Sequence, residues 1–140
     1  MMFDLHTVFT PGMDCTVRRT VTLAETAAQA GYGNRNLGHV IAPHVYIAMM
    51  AEATLGVVGH RLPEGLTSVA RSMEFTHTAP SCLGMQVSVK VTLTVVNGER
   101  LYFDAQAWDD YGTVGYGKYE RTVVHIGKLF ERVNERLLKR

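Results

Sequence analysis

An α+β fold, an antiparallel sheet wrapped around one long central helix with a second helix at the C-terminus, is what the sequence predicts, on three observations. The stretch Ala42–Gly59 is apolar around its whole circumference, and a helix of that kind is buried on every side. Met85, Val87, Val89, Val91, Leu93 and Val95 alternate with polar residues, the period-two signature of a strand with one buried face. Asn97-Gly98 joins that run to a second one, Leu101–Trp108, and Asn-Gly suits a type I′ hairpin turn, in which both central residues take positive φ.

The remaining elements follow in order. Cys15, Val17, Arg19, Val21 and Leu23 alternate with threonines and an arginine, a strand whose apolar face Arg19 interrupts. Ala24–Gly38 holds three glycines and two asparagines, the composition of a short helical turn and a loop. Pro43 suits the first turn of the long helix, where its missing N–H would be unpaired anyway. That helix is ~25 Å long at about 1.5 Å per residue. Pro63 and Gly65 mark a turn, and Thr67–Thr78 alternates as a strand. Pro80 and Gly84 bracket the turn before the hairpin. Asp109-Asp110-Tyr111-Gly112 is a turn into a last strand, Thr113–Ile126. Leu129, Phe130, Val133, Leu137 and Leu138 then line one face of a C-terminal helix whose basic residues gather late, where the dipole favours them. A curved sheet closed over a single helix is the hot-dog fold.

Size and charge narrow the function. The 140 residues suit one domain, 1–140. With 14 Lys+Arg against 13 Asp+Glu, the chain lacks the basic field that holds nucleic-acid phosphates and the polybasic patch of a membrane-surface protein. Met1–Thr10 carries Asp4 and His6 and does not read as a signal peptide. No uncharged apolar run is long enough to span a bilayer. Cys15 and Cys82 stand 67 positions apart without a C-x-x-C, which excludes a zinc ribbon or disulfide scaffold and makes the cytoplasm the expected setting.

Three side chains stand out as chemistry. Glu52 is a carboxylate in an apolar helix, an expensive placement unless it is paired or functional. His77 shares a strand face with Phe75, and its unperturbed pKa lies near neutrality. As a bare residue on an apolar face it is more often a satisfied core histidine than an acid–base group. His44 precedes Glu52 by eight residues, about 80° around the helix, beside N–H groups whose partial positive charge polarises a carbonyl. His6, His39, His60 and His125 have no metal-ligand spacing, and neither a P-loop nor a G-x-S-x-G elbow is present. No metal or cofactor is expected.

Val40-Ile41-Ala42-Pro43, the helix up to Glu52, Phe75-Thr76-His77-Thr78-Ala79 and Gly117-Lys118-Tyr119-Glu120-Arg121 together resemble the fluoroacetyl-CoA thioesterase-like branch of the hot-dog acyl-CoA thioesterases. The likeness runs from about Val40 to Val133. It implies a homodimer with sites at the subunit seam that hydrolyses an acyl-CoA thioester to free acid and CoA. The family's helix Glu matches Glu52 and its His matches His77. Its Thr near the helix start has no counterpart: counting back from Glu52 reaches His44, and counting from the preceding motif reaches Ala42. On this reading Glu52 activates water or attacks directly, His77 stabilises charge or passes a proton, and His44 orients the acyl group or water. Pro43, Phe75 and Thr76 are the expected substrate contacts. Arg121 meets either a CoA phosphate or a carboxylate in an ion pair. Two other functions suit the same scaffold: a dehydratase or hydratase, hinted at by Gly38-His39-Val40, and a non-catalytic acyl-CoA binder, since fold does not dictate function.

Overall fold

Period-two alternation does build the sheet. In the computed structural model, which describes residues 3–29 and 35–139, the elements run β1 (Asp14–Thr20), α1 (His44–Val58), β2 (Leu66–His77), β3 (Gln86–Asn97), β4 (Arg100–Asp109), β5 (Gly112–His125) and α2 (Ile126–Leu138). The strands form one antiparallel sheet in the order β1-β3-β4-β5-β2. The strand after α1 therefore lies at the far edge, beside β5, and β1 forms the other edge. Register shifts at Ala70/Ser72, Leu93/Val95 and Ala107/Trp108 are of the kind that bends strands and adds twist, which curls the sheet around α1. The loop expected over Gly31–Gly38 falls in part on residues 30–34, outside the described residues.

The hairpin turn differs from expectation in type. Asn97 pairs with Arg100 as the last residue of β3. Only Gly98 has positive φ, at 61°, and no non-glycine residue among those described does. A glycine alone at the first central position is the pattern of a type II′ turn, not I′.

The core lies between the concave sheet face and one side of α1. Tyr46, Met49, Met50, Ala53 and Val57 of the helix meet Val89, Val91, Leu93, Leu101, Phe103 and Val123 of the sheet. A single turn of 3₁₀ helix, Leu5–Thr7, capped by Asp4, also sends Leu5 into this core, with Phe9 just beyond it; so short a turn has no readable period. Gly115 and Gly117 let strands and helix close up. A Cβ at Gly115 would overlap the Phe75 ring and the Thr76 carbonyl, and one at Gly117 the Glu74 carbonyl. Gly115→Val is accordingly expected to destabilise the fold by about 1–3 kcal/mol or more through overpacking, read as a lower urea midpoint.

The expectation of a helix buried on every side is corrected. His44, Ala48, Glu52 and Leu55 form an exposed stripe along α1, with Ile47 and Ala51 half-buried at its border. One curled sheet covers only one side of a helix, and an all-apolar composition does not say which side. At the other end of the chain, α2 rests on β5 and leaves Ile126, Phe130, Val133 and Leu137 exposed. No helix among the described residues is long and apolar enough to cross a membrane.

Candidate active site

His77 is the last residue of β2, and strand alternation turns it and Phe75 towards α1 while Thr76 faces out. Opposite it runs the extended segment 39–42, held on both sides by backbone hydrogen bonds. Ala27 N–H donates to the Val40 carbonyl, Ala42 N–H to that of Glu25, and Ile41 N–H to that of Ser81. Between this segment and the end of β2 opens a cleft of roughly 590 Å³, lined by Ala27, Leu37, Val40, Ile41, Pro43, His77, Thr78, Ala79 and Pro80. Its size suits a small ligand or the reactive end of a larger one.

Next to His77, outside the lining of the cleft, lies a layer that is aromatic and polar at once. Tyr46 of α1 stacks on Phe75 with ring centroids 4.7 Å apart and planes 15° from parallel. The His77 ring lies 5.1 Å from Tyr46. Tyr46 Oη and His77 Nε2 are both buried, and neither has a partner in hydrogen-bond geometry among the described residues. Leaving such a group unsatisfied costs about 1–3 kcal/mol. Behind Tyr46, the Ser81 hydroxyl donates to Asp109 Oδ2 at 2.7 Å, and the other carboxylate oxygen accepts from Tyr111 N–H at 2.8 Å. Burial pushes the Tyr46 phenol above its ordinary pKa; the Ser81 hydroxyl beside it pulls the other way, and the Asp109 charge adds to the rise. Sequence reasoning missed Tyr46, Ser81 and Asp109. Tyr46 reads as part of an apolar helix and Asp109 as a turn residue, and nothing local links three positions so far apart.

Glu52 stands elsewhere. It is exposed, in the third turn of α1, with its Oε2 3.5 Å from Arg19 Nη2; Arg19 Nη1 meets Glu25 at 2.7 Å. The Arg19 that interrupts the apolar face of β1 is thus the cation facing this carboxylate. Burial raises the pKa of Glu25, but hydrogen bonds from Thr22 N–H, Arg19 and the Thr22 hydroxyl outweigh it and hold the group below the usual range. Glu52 is not part of the lining of the His77 cleft. His44, the first residue of α1, shares the exposed face with Glu52, whereas Pro43 faces the cleft. Two N–H groups of the expected helix-start pole are already engaged: those of Val45 and Tyr46 donate to the carbonyls of Ala42 and Pro43.

Three expected substrate contacts lie outside the cleft lining: Phe75, which stacks on Tyr46, and Thr76 and Arg121. Thr76 borders a depression on the outer sheet face with Glu74, Gln106 and Lys118, because neighbouring residues of a strand point to opposite faces. Among the described residues Arg121 meets no carboxylate. Its buried guanidinium donates to Ser68 Oγ at 2.8 Å, to the Ser68 carbonyl at 3.1 Å and to Thr54 Oγ1 at 3.4 Å, and lies over the Tyr119 ring. It ties α1 to β2 and β5, and its desolvation lowers its pKa. His39 is exposed and outside the cleft lining. Among the described residues no cluster of His, Cys, Asp or Glu has the geometry to hold a metal ion.

Known proteins share this architecture. The family model for fluoroacetyl-CoA-specific thioesterases matches residues 21–126. The fluoroacetyl-CoA thioesterase of Streptantibioticus cattleyicolor is 30% identical over 97 residues, 69% of this chain and 70% of that protein. A hot-dog-like protein from Thermanaerovibrio acidaminovorans superimposes with a TM-score of 0.88 at 29% identity, covering 96% of this chain and 97% of the other. A fluoroacetyl-CoA thioesterase structure in complex with acetyl-CoA does so with a TM-score of 0.81 at 25% identity, covering 91% and 98%. This chain is a hot-dog thioesterase and belongs to the fluoroacetyl-CoA-specific thioesterase family.

Proposed function

We propose that the protein hydrolyses a small-headed acyl-CoA thioester at a site completed by a second copy of the chain, in the cytoplasm. The observation that carries this reading is the separation of its two chemical groups. His77 borders a cleft, while Glu52 waits on the open face of the same helix whose start lines that cleft. The acyl-CoA relatives supply the substrate class, and the free thiols of Cys15 and Cys82 suit a reducing compartment.

A second copy is called for by two surfaces. The stripe Ala48–Leu55 with its Ile47 and Ala51 border is apolar and open apart from Glu52. β2 is an edge strand of 12 residues without proline, a long edge of the kind that pairs with another strand. A two-fold axis would cover both at once.

In the reaction, Glu52 takes a proton from water and the hydroxide adds to the thioester carbonyl carbon. The C–S bond then breaks, the acid leaves, and the sulfur receives the proton by way of His77. The test is a thiol-release screen across acyl-CoA chain lengths, with turnover expected for short acyl groups. CoA esters that bind and survive hours of incubation intact would instead identify a non-catalytic binder, and water addition to an enoyl-CoA without thiol release a hydratase. Single-turnover hydrolysis in ¹⁸O-water should put label in the product acid and none in Glu52; labelled Glu52 would mean direct attack by the carboxylate.

A further inference from the structure

The lining of the His77 cleft holds no lysine or arginine, so the phosphates of a CoA substrate are met elsewhere. A second depression, of roughly 200 Å³, lies at the other end of β5. Val124, His125, Lys128, Leu129 and Arg132 line it where α2 begins, and Glu99 of the β3–β4 turn closes one side. Two permanent cations and an imidazole thus face one carboxylate. Lys128 and Arg132 are exposed, and among the described residues neither makes an ion pair, with Glu99 or any other acid. Lys128 stands in the first turn of α2, where the helix dipole disfavours a cation, so its charge does nothing to steady the helix. One turn on, the planar guanidinium of Arg132 suits bidentate pairing with a phosphate.

The place of this groove matters as much as its charge. His125 pairs with Leu66, the first residue of β2, and Gly115 with His77, the last. Within one chain the groove is therefore roughly 30 Å along β5 from the cleft, at ~3.3 Å per residue. A β2 edge paired antiparallel with its own copy reverses this, because the start of the strand in one copy then stands beside its end in the other. The groove of one copy comes to lie one strand, about 5 Å, in from the seam, at the cleft end of the other copy's β2. We propose that the groove binds the 3′-phosphorylated ADP end of the CoA substrate whose acyl end occupies the cleft of the other copy, with Lys128 and Arg132 on its phosphates. The inference rests on the reading of the protein as a two-fold acyl-CoA hydrolase.

The experiment is the double variant Lys128→Ala/Arg132→Ala of the full chain, with circular dichroism to check the fold. By calorimetry its affinity for CoA should fall on the order of 10-fold, as expected for lost hydrogen bonds to charged groups. In thiol release, KM for acyl-CoA should rise by the same factor, the effect falling on KM and not on kcat. The preference for acyl-CoA over the phosphate-free acyl-pantetheine should shrink to match. 3′,5′-ADP should compete with CoA, and inorganic phosphate far more weakly; equal competition marks a site for free phosphate and overturns the proposal. Mixed dimers test the crossing. His77→Asn chains combined with the double variant regain one intact site, and with it low-KM turnover, when cleft and groove come from different copies. Unchanged CoA affinity and KM in the double variant, or no recovery on mixing, overturns the proposal. A wild type that releases no thiol, but whose CoA binding the double variant weakens, overturns the hydrolase reading instead and leaves the groove standing.

Discussion

Glu52→Gln is expected to lower thiol release from the best acyl-CoA substrate by about 10²–10⁴-fold, the span that general-base catalysis contributes, with little change in thermal stability. The stability half follows from its setting. The carboxylate is exposed, and its single ion pair, at 3.5 Å to Arg19, is of the surface kind that contributes about 0–1 kcal/mol. Glutamine keeps the shape and hydrogen-bonding capacity of the side chain and removes the base. Steady-state thiol release together with a thermal melt checks both halves; full activity in Glu52→Gln would exclude the carboxylate from the chemistry.

Ala48→Arg is expected to turn a dimer into a monomer and to abolish activity while the chain stays folded. Ala48 lies in the middle of the open stripe of α1, one turn from both His44 and Glu52, and touches no part of the core. An arginine there is harmless to an isolated chain. In the proposed dimer it would place two like charges in an apolar seam, where a buried unpaired charge costs several kcal/mol. Sedimentation velocity reads the mass, and far-UV circular dichroism the fold. A variant that remains dimeric and active would locate the seam elsewhere.

Much of the architecture was legible because it repeats locally. The valines from Val87 to Val95 and the glycine after Asn97 announce a hairpin from adjacent residues alone. The long helix was equally plain from Pro43 and its apolar run. The order of strands was not: β2 pairs with β5 and not with β3, its neighbour in sequence, through contacts about fifty residues apart. The site was half legible. The Thr-His-Thr segment marks His77, but the same segment led to Thr76, which the alternation of the strand sends to the opposite face. Arg121 shows a different limit, since a short motif gives the residue type and not its surroundings. Its partners Ser68 and Thr54 are ordinary polar residues that only the fold brings together.

The sequence by itself determined the elements and the helix-in-sheet fold, and it singled out the acid and imidazole of the proposed chemistry. Each of these is written in local periodicity or in residue type. Tertiary structure decided which side of α1 is covered, so that Glu52 is open to water and beside Arg19 instead of buried. It also assembled Tyr46, Ser81 and Asp109 behind His77. Both are consequences of how one curled sheet closes over one helix, a long-range packing choice that no window of the sequence contains.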